Sequence, residues 1–316
     1  MTESATEAVT RSVAEFRFRL VNVFASEPLI GASALAGNPL CVFEDGSGLS
    51  EREMMALTRQ FNLSETTFIL PDPNPSAAGA RVRIFTPTPD PRLAEMRFAG
   101  HPTLGSAHVV RALTGCGDRV TLDLPAGRIP VQASGDVWTL VAPFEGAPVV
   151  NAEPMPVQEV AALVGLAAAD LAGQPVWVDT GMEQLLVPVT SPEAVRRAAP
   201  SAASAGDWPR SRSGRCNAYV FAFTGDRVEG RERVTARFFI KPPGGGLYED
   251  PGTGSACANL GGWLLHTGHR LPASAVVHQG TEMQRPCRLL LDVGTDGSVR
   301  VGGRVVEVAS GTVRLP

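Results

Sequence analysis

The chain has 316 residues, of which 44% are hydrophobic and 19% are charged, and its formal net charge is −4 at pH 7. This length predicts about two domains, each large enough for its own hydrophobic core. No dense run of lysine and arginine is present, which argues against a nucleic-acid partner, and no apolar stretch approaches the roughly 20 residues of a membrane span. The short arginine-rich stretch 210–215 is interleaved with serine and glycine and is interpreted as a solvated loop.

The cysteines and the N-terminal residues indicate a cytoplasmic protein. Five cysteines are dispersed along the chain without a Cys-x-x-Cys pair, which is typical of reduced thiols. Residues 1–15 lack the apolar segment of a secretory signal and are expected to form a flexible tail.

The first half of the chain reads as strands with two helices. Hydrophobic alternation followed by a continuous apolar run predicts a strand over 16–24, and further strands are expected over 39–43, 65–70, 81–85, 120–124 and 138–141. Ser50 and Glu53 form a capping box that begins the first helix, with Asn62 as its end. A second helix is expected over about 102–113, closed by Gly115.

The proline-rich stretch 143–156 is the expected domain boundary. The first domain is then 16–145 and the second 146–316, with a last strand that can return to the first domain. The second half repeats the plan, with helices over 157–163 and about 251–267, strands over 183–189, 217–223 and 234–240, and a glycine loop over 244–246. Many strands and one long helix per half favour an α+β fold. In this fold two pseudo-symmetric domains each wrap a β-barrel-like sheet around a central helix.

Two copies of one motif begin the two long helices. The segment 101–107 (HPTLGSA) returns as 250–256 (DPGTGSA). A polar residue before proline is typical of a helix N-terminus, so His101 and Asp250 are the expected capping residues. Because a helix N-terminus has free N–H groups and a partial positive charge, it binds anions. We therefore expect one pocket between the domains for an anionic substrate, with donors from Thr103, Gly105, Gly254 and Ser255; plain capping without a ligand is the alternative.

Glu65 is the best acid/base candidate. It opens a strand whose next residues are apolar on both faces, so it is expected at the edge of a core. Partial desolvation there would raise its pKa toward neutrality, where a carboxyl group both accepts and returns a proton. A solvent-facing glutamate at a strand end is the simpler alternative from position alone.

Other chemistries find little support. The glycines 244–246 lack the Lys-Ser/Thr of a phosphate loop, and no Gly-x-Ser-x-Gly elbow is present. His101 and His108 lie on one helix without a third ligand, so no metal site is expected. Cys257 is expected in a core rather than as a nucleophile.

Five ordered segments together resemble a known family. They are 37–39 (GNP), 61–66 (FNLSET), 98–105 (FAGHPTLG), 249–256 (EDPGTGSA) and 279–280 (QG). The chain resembles the phenazine-biosynthesis PhzF-like isomerases and epimerases, and the match is collinear from about residue 16 to the C-terminus. The resemblance implies the diaminopimelate epimerase fold with the site between two domains, no metal and no organic cofactor, and a homodimer.

The resemblance also implies roles for individual residues. Glu65 would be the general acid/base, while His101, Asp250 and Ser255 would assist proton movement and hold the substrate. The same motifs mark further substrate-binding positions at Asn38, Gly100, Thr103 and Gly254. Neither turn carries the cysteine of the two-thiol racemases that share this fold, so a two-thiol racemisation is disfavoured.

The expected function is a cofactor-independent isomerase that moves a proton on a small carboxylate-bearing substrate, such as a dihydro-hydroxyanthranilate-type compound of secondary metabolism. One alternative is an epimerase or racemase of an amino-acid derivative, with Glu65 as one base and His101 or Asp250 as the other. A ligand-binding protein without turnover is a second alternative.

Three departures from the family pattern are expected to line or adjoin the mouth of the pocket. Residues 284–287 (QRPC) stand where the family usually has Gly-Arg-Pro-Ser, Gly252 replaces a commoner alanine, and residues 244–246 are unusually rich in glycine. These changes bear on the identity of the substrate rather than on the fold.

Overall fold

The structure is a computed structural model that describes residues 13–27, 35–71, 79–88, 91–201, 208–242 and 246–315. Most of the expected N-terminal tail and of the glycine loop 244–246 lies outside these residues. No helix in the described part of the chain is both long and apolar enough to cross a membrane.

The N-terminal lobe is a closed ring of β-strands. Its elements are β1 (Ala14–Val23), β2 (Asn38–Phe43), α1 (Glu51–Phe61), β3 (Glu65–Leu70), β4 (Gly79–Phe85), β5 (Glu95–Met96), α2 (Gly100–Thr114), β6 (Arg119–Leu124), β7 (Gly127–Ser134) and β8 (Val137–Val141). Successive pairing runs β1-β2-β3-β4-β6-β7-β8, and the last strand of the chain, β17 (Val299–Leu315), pairs with both β8 and β1 to close the ring.

Helix α2 lies inside this ring and contacts all eight of its strands. It carries buried side chains around most of its circumference, among them Leu104, Ala107 and Val110, as a helix enclosed by a sheet must. The amphipathic α1 packs outside the ring. Its predicted capping box at Ser50 and Glu53 is confirmed, and Asn62 ends it in the left-handed conformation with φ of 51°.

The C-terminal lobe repeats the same order. Its elements are β9 (Val149–Ala152), α3 (Val157–Leu163), β10 (Val176–Asp179), β11 (Gln184–Pro188), α4 (Pro192–Arg197), β12 (Cys216–Val228), β13 (Arg231–Lys241), β14 (Tyr248–Asp250), α5 (Gly254–His266), β15 (Ala273–Gln279) and β16 (Cys287–Val293). The sheet runs β9-β10-β11-β12-β13-β15-β16-β17, and α5 packs against β9, β10, β11, β16 and β17.

The two lobes also share the same pattern of parallel and antiparallel strand pairs. The parallel pairs β2–β3 and β4–β6 of the first lobe correspond to the parallel pairs β11–β12 and β13–β15 of the second, and the other neighbours are antiparallel. One continuous hydrophobic core includes residues of both lobes. The prediction of an α+β fold with a sheet wrapped around one central helix, used twice, is confirmed.

Strand β17 ties the lobes together. Its first part, Val299–Gly302, pairs with β16, and its later part pairs with β1 up to Leu315. The predicted domain boundary at residues 145 and 146 lies in the connection between β8 and β9.

Candidate active site

The two central helices meet at their N-terminal ends, between the lobes. Helix α2 begins at Gly100 and α5 at Gly254. A Cβ atom on Gly100 would lie 3.2 Å from Gly254 Cα and 3.6 Å from Ser255 N, so backbone contacts backbone here. Glycine at both positions lets two partially positive helix ends come together.

The prediction that His101 and Asp250 are equivalent N-caps is wrong. Ala99 and Thr253 occupy the N-cap positions, and neither makes a side-chain capping hydrogen bond. His101 lies within the first turn of α2, whereas Asp250 ends β14 upstream of α5. The intervening turn stays outside the helix because Gln279 binds it: the Gln279 side chain accepts from Thr253 N at 3.2 Å and donates to the Asp250 carbonyl at 2.8 Å.

Glu65 and His101 face one another in a buried setting. Glu65 Oε2 lies 3.3 Å from His101 Nε2, and the two side chains are 15% and 7% exposed. The contact is close but not aligned as a hydrogen bond, and both atoms are buried without a hydrogen-bond partner among the described residues. Buried polar atoms without partners are rare, and a catalytic role is one of the reasons for which proteins retain them.

Asn38 determines the protonation of the His101 ring. Its amide nitrogen donates to Gly252 O at 2.9 Å and to Asp250 Oδ1 at 3.1 Å, and it lies 3.3 Å from His101 Nδ1. Because an amide nitrogen cannot accept, a proton on Nδ1 would face a donor, so the neutral ring carries its proton on Nε2, facing Glu65. Burial lowers the pKa of His101 to about 3, so the ring is neutral.

Asp250 and Glu65 form a coupled pair of carboxyl groups. Burial raises the pKa of Glu65 to about 8; the Asp250 charge adds to the rise, and Arg215 opposes it. Burial also raises the pKa of Asp250, but hydrogen bonds from Thr253, Asn38 and Ser64 favour its charged form. Since Glu65 Oε2 receives no such hydrogen bond, Glu65 carries the proton of the pair near neutral pH.

The C-terminal lobe contributes a hydroxyl group at the helix junction. Ser255 Oγ accepts from Gln184 Nε2 at 2.9 Å, which leaves its own hydrogen available for another acceptor. Gln184 is held in turn by Asn259, which donates to Gln184 Oε1 at 2.8 Å. Gln184 begins β11 as Asn38 begins β2, so both lobes present an amide side chain at corresponding strand starts.

Not every predicted binding residue is presented in the same way. Thr103 is fully buried and its hydroxyl donates to Ala99 O at 2.7 Å, so its side chain has no free hydrogen for a substrate. This is the expected back-bonding of a threonine within a helix. Gly100, Gly254 and Ser255 line a small cavity that is partly open to solvent, with largely apolar walls that include Phe24, Phe98, Leu104, Leu140, Met182 and Val301. Glu65, His101 and Asp250 are not among its lining residues; the cavity adjoins them at the helix starts.

Sequence reasoning missed several residues of the site. Ser64, Thr253 and Gln184 were not singled out for a role, and Arg215 was included only in a solvated loop. Gln184 could have been found from the internal repeat, since it matches Asn38.

Cys257, expected in a core, is fully buried there. The described residues contain no group of three or more His, Cys, Asp or Glu side chains that could hold a metal ion.

The architecture defines a protein of the diaminopimelate epimerase-like fold. A hydroxyproline epimerase from Agrobacterium vitis has the same fold, with a TM-score of 0.59 at 13% identity over 95% of this chain and 91% of its own. The crystal structure of a PhzF-family phenazine biosynthesis protein from Bacillus anthracis is more similar, with a TM-score of 0.78 at 22% identity over 95% and 99% of the two chains.

Residues 21–311 match the family described as Phenazine biosynthesis-like protein (PhzC-PhzF), and the chain belongs to this family. The trans-2,3-dihydro-3-hydroxyanthranilate isomerase of Pseudomonas aeruginosa is 32% identical over 310 residues, covering 95% of this chain and 99% of its own. An uncharacterised isomerase of Pasteurella multocida is 34% identical over 303 residues, which is 95% of each chain. The predicted family and the enzyme class, a PhzF-like isomerase, are confirmed.

Proposed function

We propose that the protein moves a proton between two carbon atoms of a small, carboxylate-bearing ring compound, using Glu65 as the acid and base. The observation that carries this proposal is the buried pair of Glu65 Oε2 and His101 Nε2, 3.3 Å apart and each without a hydrogen-bond partner among the described residues. A pKa of about 8 suits Glu65 to both halves of such a reaction.

The reaction follows from the state of each side chain. The ionised form of Glu65 removes a proton from a carbon whose electron pair then delocalises into the neighbouring unsaturated system. The carboxyl group formed on Glu65 then delivers a proton to another carbon of that system, and the double bonds shift without any change in composition. His101, which stays neutral, faces Glu65 Oε2 with its Nε2 at 3.3 Å and is placed to donate to the ionised carboxylate once the two groups align.

Charge that develops on the substrate would be stabilised by the helix junction. The starts of α2 and α5 bring backbone N–H groups together at Gly100 and Gly254, and Ser255 adds a hydroxyl group. Preorganised donors of this kind stabilise an anion without having to reorganise during the reaction. The compound named for the Pseudomonas aeruginosa relative, trans-2,3-dihydro-3-hydroxyanthranilate, has the required ring and carboxylate and is the first substrate to test.

The geometry favours proton shuttling by one carboxyl group over epimerisation by Glu65 and His101. Epimerisation by two bases requires the bases on opposite faces of one carbon atom. Glu65 and His101 are in contact at 3.3 Å, so no substrate carbon fits between them. His101 is also held neutral with its proton on Nε2, which suits a hydrogen-bond donor rather than a second base.

Deuterium incorporation tests the proposal. The protein is incubated in deuterated water with trans-2,3-dihydro-3-hydroxyanthranilate, and NMR follows both isomerisation and the deuterium content of each ring carbon. We expect isomerisation by the wild type and a loss of about 10²–10⁴-fold in Glu65→Gln, the usual contribution of a general acid or base. Glu159→Gln, on an exposed face of α3 in the other lobe, is the matched control and should keep wild-type activity.

Each alternative gives a different result. A protein that binds the compound without any isomerisation or exchange would support a binding role. Exchange with inversion at one carbon would support an epimerase. Full activity in Glu65→Gln would contradict the assignment of the proton to this side chain.

A further inference from the structure

Arg215 lies beside Met182, a residue that lines the cavity between the lobes. It immediately precedes β12, and its Nη1 atom lies 3.3 Å from Met182 Sδ. Met182 lines the cavity together with Gly254 and Ser255. The guanidinium group is therefore next to a cavity wall that includes the start of α5.

The guanidinium of Arg215 forms no ion pair with the described residues. No carboxylate of the described residues lies within 4 Å of it, and its side chain contacts the Met182 thioether, a weak acceptor. By contrast, Arg212 in the same loop binds Glu183 at 2.8 Å and Asp179 at 3.0 Å. The backbone at Arg215 is fixed, because its N–H donates to Ser211 Oγ at 3.0 Å and its carbonyl accepts from Ser211 N at 2.9 Å.

Arg215 is also close enough to act on the reacting carboxyl group. Its positive charge opposes the rise in the pKa of Glu65 and of Tyr248, which shows that it lies within electrostatic range of both side chains. A cation so placed attracts an anion toward the centre where the proton moves.

We propose that Arg215 determines specificity by binding the carboxylate of the substrate together with Ser255. Gln184 Nε2 contacts both Ser255 Oγ, at 2.9 Å, and Met182 Sδ, at 3.8 Å, so successive contacts through Met182 and Gln184 connect the Arg215 guanidinium to the Ser255 hydroxyl group. One carboxylate oxygen accepts from the Ser255 hydroxyl group at the start of α5, and the other accepts from the guanidinium. This inference rests on the proposed function, since it assumes a carboxylate-bearing substrate.

Binding of a charged and a neutral probe tests the inference without requiring turnover. The probes are 3-hydroxyanthranilate and its carboxamide, which differ in the charge of one group and nearly match in shape. Titration calorimetry on the full-length wild type is expected to show tighter binding of the carboxylate. In Arg215→Met the affinity for the carboxylate should fall about tenfold, as for loss of a charged hydrogen bond, and the affinity for the carboxamide should stay within about twofold.

Two further variants separate charge from packing. Arg215→Lys keeps the charge without the planar fork and should recover part of the lost affinity. Arg210→Met removes an exposed arginine of the same loop and should leave both affinities unchanged. Thermal unfolding of each variant verifies that the fold is intact.

The outcomes are distinct. Equal losses for both probes in Arg215→Met would show that the side chain acts only by packing, and would overturn the inference. So would a wild type that binds the carboxylate no more tightly than the carboxamide. If the isomerisation assay fails while charge discrimination depends on Arg215, the proposed function fails and the carboxylate site stands.

Discussion

Replacing Gly252 by alanine should destabilise the protein, because a sulfur atom already occupies the space of the new methyl group. A Cβ atom at residue 252 would lie 2.7 Å from Cys287 Sγ, 3.1 Å from Cys287 Cβ and 3.2 Å from Phe24 Cδ2. Cys287 and Phe24 are 1% and 0% exposed, so neither can turn toward solvent. Overpacking of a closed core costs about 1–3 kcal/mol, and we expect about 2–3 kcal/mol for Gly252→Ala.

The same contact joins two positions at which the sequence departs from the expected family pattern. From the family pattern, we expect alanine and serine where this chain has Gly252 and Cys287. A serine oxygen is smaller than sulfur and lies closer to its Cβ, so Cys287→Ser makes room for a methyl group at residue 252. The serine hydroxyl could also donate to Arg285 O, as the thiol does at 3.5 Å. In the Cys287→Ser background, Gly252→Ala should therefore cost about 1 kcal/mol or less.

A double-mutant cycle measures this coupling. Urea unfolding of the wild type, both single variants and the double variant is followed by tryptophan fluorescence, and free energies are compared only where the m-values agree. We expect an interaction free energy of about 1–2 kcal/mol that favours the double variant. Additivity within about 0.5 kcal/mol would refute the proposed clash.

Three further predictions concern the site. Burial raises the pKa of Glu65 from 4.5 to about 8, so the folded protein retains a proton that the unfolded chain releases between these values, and the resulting stability is lost as pH rises through that window. The free energy of unfolding of Glu65→Gln should therefore exceed that of the wild type by on the order of 3 kcal/mol at pH 8 and by little at pH 5. Urea titrations at both pH values measure this difference. Asp250→Asn removes a negative charge that raises the pKa of Glu65, so the acidic limb of the kcat/KM profile should move to lower pH. Gly100→Ala would place a methyl group 3.2 Å from the Gly254 backbone, and separation of the two helix starts should lower kcat/KM at least about tenfold.

Controls for these predictions are available in the same chain. Gly117→Ala adds a methyl group where no atom lies within 4 Å, so it should leave kcat/KM unchanged while Gly100→Ala lowers it. For Glu65, a stability difference from Glu65→Gln that is the same at pH 5 and pH 8 would contradict the raised pKa. An unmoved acidic limb in Asp250→Asn would show that the two carboxyl groups are not coupled.

Among the described residues, local sequence signals predicted four of the five helices and the positions of nine of the seventeen strands, and they missed the short helix Pro192–Arg197. The helix at Glu51–Phe61 was predicted from a capping box, whose two hydrogen bonds join residues only three positions apart. The repeated motif at 101–107 and 250–256 correctly indicated two related halves with a long helix in each. The same motif misled the assignment of the caps, because the turn at residues 251–253 is held out of the helix by Gln279, a residue far along the chain.

The burial of Glu65 was predicted from the sequence, but the residues that surround it were not. The apolar residues that follow Glu65 in β3 placed it at the edge of a core, and the family motif marked it as the acid/base. Nothing near it in sequence indicates that His101 Nε2 would face it, or that the charge of Asp250 would raise its pKa. These contacts depend on the packing of α2 inside the ring and on the end of β14 in the other lobe.

By itself, the sequence determined the family, the two-fold repeat and the identity of the acid/base candidate. These rest on interactions between residues a few positions apart and on motifs that can be read in order. Only the tertiary structure decided that Asn38 contacts both His101 and Asp250, the latter 212 residues after Asn38. The same is true of the position of Arg215 beside Met182 in the cavity wall. The reason is physical: such contacts are set by strand order, by register and by the approach of two lobes, and local propensity contains no information about them.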